Sequence, residues 1–360
     1  NKDIAIAGGK GASLGEMFNN KFPVPPGFVI TAQSFGMFIE QGGLKEKIKN
    51  ILEGMDLEKT SELQKASKEI RALIEAQEIP NDLKEEILES YRILSSEKID
   101  EQGVSQDALT ILKNAQEPIF VSVRSSATTE DLVDASFAGQ QESFLNIKGE
   151  SKLIEYVKRC FSSLYTARAI YYRNNKGFKE GDSLLAVVVQ KMVDSEKSGV
   201  AFSRNPLNLG EEVVVEAVYG LGEGIVSGKI KPDHYTASRE LKVKSVSVAD
   251  KKIAIVRTGA GTNEIVKLSD ERSKTQVMTS GEILEVADLS IRLEDHYKKP
   301  QDVEFAIEAR RVYIVQSRPI TTKAPTEKHS QEISGTPILT GLGASPGIGV
   351  GSVKIINSMD

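Results

Sequence analysis

The sequence predicts an α+β fold, with helices packed on sheets of short strands. At residues 61–77 and 81–95, apolar side chains recur every three or four positions, which is typical of amphipathic helices. Other segments are short and apolar or alternate in polarity, as strands do, and the clearest pair forms a hairpin between residues 302 and 318. Because the helical segments carry many charges, we expect them to pack one face on a sheet and expose the other.

Length and composition indicate a globular protein of about two domains, since the chain has 360 residues. The net charge of −5 gives no support to nucleic-acid binding, and no apolar run approaches the length of a membrane span. There is one cysteine, Cys160, and no visible signal peptide. We therefore expect a cytoplasmic protein without nucleic-acid or membrane partners, in which Cys160 is a core residue.

The three histidines show no zinc pattern. His234, His296 and His329 are scattered along the chain, without the H-x-x-x-H spacing of a zinc site. A metal in this protein would then have oxygen ligands, which favours Mg²⁺.

A glycine-rich turn at residues 8–11 leads into a predicted helix. Such a turn suits phosphate binding, because free backbone N–H groups and the helix dipole point towards the anion, and Lys10 adds a positive charge. The spacing is not that of a P-loop. The alternative is a glycine turn that caps a helix, with Lys10 exposed.

The apolar segment 119–123 predicts a buried strand that ends at Arg124 and a run of hydroxyl side chains. A guanidinium at a strand end matches the geometry of phosphate oxygens. Residues 135–147 then predict a hairpin with small residues at its tip. Because Gly139 has no side chain, this loop can lie close over a triphosphate, while an ordinary hairpin turn is the alternative.

Two further helices are expected on periodicity. Residues 152–175 predict one long amphipathic helix, and residues 280–297 predict a helix opened by Ser280.

A strongly apolar strand at residues 184–189 is followed by a short polar linker. The linker comprises Gln190, Lys191, Met192 and Val193. Between two lobes, such a segment can offer backbone N–H and C=O groups to the edge of an adenine ring, although the signal is weak by itself.

The hairpin near the end of the chain is the most informative stretch. If its turn is centred on Arg310, Glu304 lies opposite Gln316, and Asp302 lies opposite Arg318. Side chains two apart on a strand share a face, so these polar groups project together.

The two faces of this hairpin differ in chemistry. One carries a carboxylate, an amide and a guanidinium, from Glu304, Gln316 and Arg318. The other is expected to face a core and carries Phe305, Ile307 and Val315. The polar face suits a metal-bound polyphosphate, and an amphipathic hairpin with a solvated face is the alternative.

These motifs together resemble the N-terminal nucleotide-binding region of the phosphoenolpyruvate synthase and pyruvate phosphate dikinase family, which includes rifampin phosphotransferase. The resemblance covers nearly all of residues 5–320. Its most specific segments read VRSSATTED at 123–131, SFAGQQE at 136–142 and VQSRPI at 315–320, and further matches lie at 8–17, 23–28, 219–223 and 231–233. The sequences at 127–131 and 136–141 resemble those of the synthase and rifampin branches and differ from those of the dikinase branch.

The resemblance implies an ATP-grasp-like domain of two lobes, at residues 1–188 and 189–322, followed by a linker at 323–337. Residues 338–360 resemble the start of the family's swivelling phosphohistidine domain, without its carrier histidine. We therefore expect a piece of a longer protein, with that swivelling domain as its partner. Alone, the chain would bind ATP without completing the phosphoryl transfer.

For the phosphates of ATP, the resemblance implies roles for five residues. Lys10 and Arg124 would bind phosphates, and Gly139 with its neighbours would cover them. Ser143 would contact the nucleotide. Arg318 would stabilise the charge on the phosphoryl group in flight, so the catalytic set would be Arg318, Lys10 and Arg124.

For the rest of the ligand, the resemblance implies that residues 190–193 hold adenine. Glu304 and Gln316 would bind Mg²⁺, and Glu304 would also lie near the ribose. In this family the β-phosphate of ATP passes to a histidine, with AMP and phosphate as products.

The phosphoryl acceptor leaves alternatives open. A phosphoenolpyruvate synthase-like enzyme, which uses pyruvate, is the leading hypothesis, and rifampin phosphotransferase shares the module but differs in its acceptor. A non-catalytic ATP sensor is a third hypothesis. Such a sensor would tolerate loss of Arg318, so the presence of this residue argues against it. An ATP-grasp ligase normally lacks the paired segments at 123–126 and 316–319.

Overall fold

The computed structural model describes residues 3–56, 59–96, 117–128, 131–132, 135–136, 142–178, 183–320 and 350–352. These residues form helices and antiparallel sheets, which confirms the predicted α+β class. No helix within these ranges combines the length and the apolar character that crossing a membrane requires.

Most of the described helices lie in the first half of the chain, and one long helix lies near its end. In chain order they are α1 (Ile4–Asn19), α2 (Ala32–Gln41), α3 (Leu44–Leu52), α4 (Thr60–Ala76), α5 (Asn81–Ser96), α6 (Glu150–Ser162), α7 (Ala167–Asn175), α8 (Glu223–Val226), α9 (Asp270–Ser273) and α10 (Ser280–Tyr297).

The strands form two antiparallel sheets and two small pairs. In chain order they are β1 (Gly27–Ile30), β2 (Val121–Ala127), β3 (Asp131–Leu132), β4 (Ala135–Ser136), β5 (Ser143–Ile147), β6 (Leu185–Lys191), β7 (Lys197–Phe202), β8 (Val213–Tyr219), β9 (Asp233–Ala237), β10 (Val243–Ser247), β11 (Ile253–Arg257), β12 (Asn263–Lys267), β13 (Gln301–Glu308) and β14 (Arg311–Pro319). One sheet has the order β1-β6-β2-β5 and the other the order β10-β9-β8-β7-β13-β14, while β11 pairs with β12 and β3 with β4.

Each sheet has its own hydrophobic core. Helices α2 to α7 cover one face of the four-stranded sheet, where the Phe161 ring packs 5.1 Å from Phe35 and 5.3 Å from Phe38 between ring centres. Cys160 belongs to this core, as predicted, and its burial raises the pKa of the thiol. Helix α10 covers the six-stranded sheet. Burying each large apolar side chain contributes about 1.5 to 3 kcal/mol.

Helix α1 joins the two layers. It packs against β2 and β6 of the four-stranded sheet and against β14 of the six-stranded sheet. Its Leu14 and Met17 lie in the core of the six-stranded sheet, together with Val188 of β6. A rotation of one sheet against the other would therefore have to break apolar contacts along α1.

The single helix expected at residues 152–175 is wrong. Helix α6 ends at Ser162, a 3₁₀ turn follows, and α7 begins after Thr166. Thr166 has extended backbone angles, φ −60° and ψ 149°, and its hydroxyl accepts a hydrogen bond from the N–H of Ala169. This local cap starts a new helix although the amphipathic pattern continues across the break.

Helix α10 spans the predicted residues, but Thr279 caps it instead of Ser280. The Thr279 hydroxyl accepts from the N–H of Glu282, and the Glu282 carboxylate accepts from the N–H of Thr279, which is a capping box. Strand β6 runs through the lobe boundary expected at residue 188, and the expected domain boundaries stay predictions.

A buried ion pair holds one end of the six-stranded sheet. The side chains of Asp233 and Lys251 are both 0% exposed and are bonded to each other. Asp233 also accepts hydrogen bonds from the N–H groups of Ala249 and Val277 and from the Tyr235 hydroxyl. These bonds tie β9 to two following loops, and burial raises the pKa of Tyr235.

We expect Lys251→Met to lower the free energy of unfolding by about 3 to 5 kcal/mol, because it leaves a buried carboxylate without its cation. Urea unfolding followed by circular dichroism measures the change. Lys252→Met is the matched control, since the Lys252 side chain is 60% exposed and pairs with Asp250 at the surface. The control should leave the free energy of unfolding almost unchanged, because an exposed ion pair contributes little, and equal losses in the two variants would contradict the prediction.

Candidate functional site

A cleft of about 880 Å³ lies between the two sheets. One wall comes from β2, β5 and the end of β6, and the other comes from β7, β13 and β14. Lys10 of α1, residues of α8 and Asn263 of β12 also line the cleft. Side chains from both sheets and from their connections therefore meet in this space.

The β13–β14 hairpin has the register predicted for its polar face. Glu304 pairs with Gln316, and Asp302 pairs with Arg318. Cross-strand partners and residues two apart on a strand share a face, so Glu304, Gln316 and Arg318 project on the same side, and all three line the cleft. The geometric claim made from the sequence is confirmed.

The turn and the core face of the same hairpin differ from the prediction. The turn has two residues, Ala309 and Arg310, with φ of 49° and 66°, as in type I′ turns. A bulge then inserts Val315, which is half-buried and lines the cleft. Ile314, paired with Phe305, takes the buried position expected for Val315. Centring the hairpin on one residue thus gives the correct register only beyond the bulge.

Arg124 of β2 crosses the cleft to the other sheet. Its Nη1 donates to the carbonyl of Val315 at 2.9 Å, and its Nη2 donates to Oε1 of Gln316. The same Nη2 lies 3.9 Å from a carboxylate oxygen of Glu304. Because the Arg124 side chain is only 11% exposed, the carbonyl and amide oxygens replace lost hydration, and the Glu304 carboxylate supplies the opposite charge.

The glycine-rich turn places Lys10 at the cleft. Gly8 breaks α1 with φ 67° and ψ 173°, and a Cβ there would meet the Ser126 carbonyl oxygen at 2.1 Å. The Ser126 hydroxyl accepts from the N–H of Gly11 at 3.0 Å and donates to the carbonyl of Ala7 at 2.8 Å. The N–H of Gly11, expected to be free, is therefore capped by a hydroxyl.

Two more of the expected site residues, Ser143 and Arg318, line the same cleft. Ser143 pairs with Arg124 across β2 and β5, is exposed and lines the cleft. The Nε of Arg318 donates to Asp302 at 2.9 Å, and its side chain is 46% exposed. Gly139 lies outside the described residues.

The segment predicted as a linker, residues 190–193, lines the cleft, but β6 continues through Gln190 and Lys191, so the linker begins only at Met192. The N–H groups of Lys191 and Met192 already donate to the carbonyls of Pro26 and Phe120, each at 2.9 Å. Within the described part of the chain, the Val193 N–H has no acceptor. Of these backbone donors, Val193 is the one open to a ligand.

A basic side chain that the sequence did not single out holds this linker. Arg257 of β11 lies 2.9 Å from the carboxylate of Asp194 and stacks on the Phe120 ring, 4.5 Å from its centre. Arg257 and Phe120, which are distant in sequence from the linker, therefore hold its end at Asp194 in place.

A chain of amides spans the cleft near this end. Asn146 of β5 donates to Asn263 of β12 at 2.5 Å, and Asn263 donates to the carboxylate of Glu223 at 2.6 Å. Since a carboxylate only accepts, it fixes the direction of both bonds. Sequence reasoning missed these residues, and its only signal was Glu223 at the end of the motif 219–223.

Within the described ranges, no group of three or more His, Cys, Asp or Glu side chains is arranged to hold a metal ion. The oxygens of Glu304 and Gln316 lie on paired positions of adjacent strands and face the cleft. Carboxylate and amide oxygens suit Mg²⁺, so this pair fits the expected metal by its chemistry.

This fold and this cleft define a class of protein. The two antiparallel sheets form an ATP-grasp-like nucleotide-binding domain. They enclose a cleft that has cationic side chains near one end and residues 190–193 at the other. Residues 4–335 match the family described as the pyruvate phosphate dikinase, AMP/ATP-binding domain. The chain belongs to this family.

Curated relatives agree with this assignment. The chain is 46% identical over 365 residues to a probable phosphoenolpyruvate synthase of Methanocaldococcus jannaschii, and 48% identical over 362 residues to one of Archaeoglobus fulgidus. It is 40% identical over 400 residues to the phosphoenolpyruvate synthase of Pyrococcus furiosus. These alignments cover 100%, 99% and 98% of this chain but 29%, 46% and 47% of the relatives. The chain thus spans half or less of the length of these relatives.

Gly8→Ala is expected to destabilise the protein by about 1 to 3 kcal/mol, because an alanine is strained at this φ and its Cβ meets backbone. Gly15→Ala is the matched control in the same helix, where an added Cβ has open space. It should raise stability by up to about 1 kcal/mol. Thermal unfolding of both variants tests this, and a Gly8→Ala protein as stable as the control would refute the strained turn.

Proposed function

We propose that this cleft binds ATP with Mg²⁺ and donates a phosphoryl group in a phosphoenolpyruvate synthase-like enzyme. One observation carries the proposal: Lys10, Arg124 and Arg318 converge on the face that carries Glu304 and Gln316. Three positive charges beside two metal-type oxygens suit a polyphosphate and its cation.

The dimensions of the cleft support a nucleotide that lies along β2 and β6. Arg124 pairs with Val188, and Lys191 lies three residues further along β6. At about 3.4 Å per residue, the linker is about 10 Å from the cations. The triphosphate would lie at the Arg124 end, and adenine would lie against residues 190–193, with the Val193 N–H as a donor.

Glu304 and Gln316 would hold the Mg²⁺. The Glu304 side chain lines the cleft and is 30% exposed, and Nη2 of Arg124 lies 3.9 Å from its carboxylate. When bound, Mg²⁺ would neutralise phosphate oxygens as they are transferred. Gln316 meanwhile accepts from Arg124, which places the guanidinium beside the same phosphates.

For the whole protein, we propose conversion of ATP, pyruvate and water into AMP, phosphoenolpyruvate and phosphate through a phosphohistidine carrier. The names of the relatives support pyruvate over an antibiotic as the acceptor. The carrier would be a swivelling domain that brings its histidine to this cleft. Arg318, at the exposed edge beside Asp302, would stabilise charge on the transferred group.

Glu304→Ala should weaken binding of ATP with Mg²⁺ by about tenfold or more, which calorimetry on the 360-residue chain measures. Glu216→Ala is the matched control. Glu216 lies in the same row of the sheet, two strands away through Val200, and pairs with His234 outside the cleft. Absence of ATP binding in the unmodified chain, or equal losses of ATP affinity in both variants, would refute the site assignment.

Arg318→Met should slow pyruvate-dependent AMP formation by the whole protein by about 10²-fold or more, a barrier increase of about 3 kcal/mol. The dissociation constant of ATP should change much less, since the guanidinium acts mainly on the transition state. Arg311→Met, at the exposed start of the same strand, should retain full activity. Unchanged kcat in Arg318→Met would favour a non-catalytic ATP-binding role.

A further inference from the structure

An ion pair behind the cleft joins α4 to the residue that precedes β5. The guanidinium of Arg71 donates to both carboxylate oxygens of Glu142, at 2.9 and 2.7 Å. Their side chains are 27% and 35% exposed, and neither residue is among the described ones that line the cleft. A bidentate pair fixes orientation as well as distance, so it holds the Glu142 backbone in one place.

The Glu142 backbone is tied in turn to the strand that carries Arg124. The hydroxyl of Ser125 donates to the Glu142 carbonyl at 2.9 Å, and the Ser125 N–H does so at 3.4 Å. The Ser125 carbonyl accepts from Nζ of Lys10 at 2.8 Å. A continuous series of contacts therefore runs from Arg71 to Lys10.

The same backbone also sets the neighbours of Arg124. Arg124 precedes Ser125 in β2 and pairs with Ser143, the residue directly after Glu142. The relative positions of Lys10 and Arg124 thus depend on where Glu142 is held. Two cations bind a polyphosphate well only at a fixed separation, and a displacement of about 1 Å in such a site has large effects.

Stability alone is a poor explanation for this pair. Ion pairs with this much exposure contribute little to the stability of the fold, whereas their effect on the geometry of bound groups is not limited in this way. We propose that Arg71 is a positioning residue, which acts through Glu142 and Ser125 to place the two phosphate-binding cations. This inference rests on the proposed function of the cleft.

The test compares two ligands that share the nucleoside and differ in phosphate. Arg71→Met removes the guanidinium and keeps an unbranched side chain. Equilibrium dialysis of the 360-residue chain measures dissociation constants for ATP with Mg²⁺ and for adenosine. We expect ATP binding about tenfold weaker and adenosine binding within about twofold, because only the phosphates meet Lys10 and Arg124.

Arg92→Met is the matched control. Arg92 of α5 lies 2.7 Å from a carboxylate oxygen of Glu150, in a pair of similar kind that does not line the cleft. Both affinities should stay unchanged in this variant. Because Glu75 also lies 3.8 Å from Arg71, the reversal includes this residue: the triple substitution Arg71→Glu, Glu75→Gln and Glu142→Arg restores the pair in reverse. This reversed variant should recover most of the ATP affinity, and it decides the matter if Arg71→Met folds poorly.

The outcomes separate the two proposals. An unmodified chain that does not bind ATP refutes the proposed function. An unmodified chain that binds ATP, with Arg71→Met unchanged, overturns the positioning role alone. Equal losses for ATP and adenosine, or no recovery in the reversed variant, also overturn it, because they indicate a purely structural pair.

Discussion

The cleft depends on one guanidinium that reaches from one sheet to the other. A cation as buried as Arg124 requires oxygen partners, and it finds them at Val315 and Gln316, with Glu304 nearby. This requirement fixes the β13–β14 hairpin relative to β2. Oε1 of Gln316 is also a proposed Mg²⁺ ligand, and because an amide oxygen has two lone pairs, it can accept from Arg124 and bind the metal together.

Unusual backbone positions bring the other groups within reach of Arg124. Gly8 has a conformation and a proximity to Ser126 that no other residue tolerates, and this break aims Lys10 at β2. The bulge at Val315 turns its carbonyl towards Arg124 while Ile314 stays in the core. One irregularity interrupts a helix and the other a strand, and both bring polar groups together in the cleft.

Local patterns predicted much of this fold. Alternation in the hairpin sufficed for the pairing of Glu304 with Gln316, and periodicity sufficed for α4, α5 and α10. Periodicity failed across Thr166, because a single side-chain cap outweighs a continuous apolar stripe. The turn after β13 was also misplaced. A two-residue turn followed by a bulge gives the same register further along the strands as a one-residue turn, so alternation alone does not distinguish them.

The sequence by itself determined the chemistry of the site: which residues are cations, which are oxygen donors, and which strands and turns carry them. The tertiary structure alone decided which of these groups meet. Arg124 and Gln316 are 192 residues apart, and Asn146 and Asn263 are 117 apart, so no local pattern pairs them. Contacts at such separations follow from how two sheets and α1 pack as bodies, which is a property of the whole core and not of any one segment.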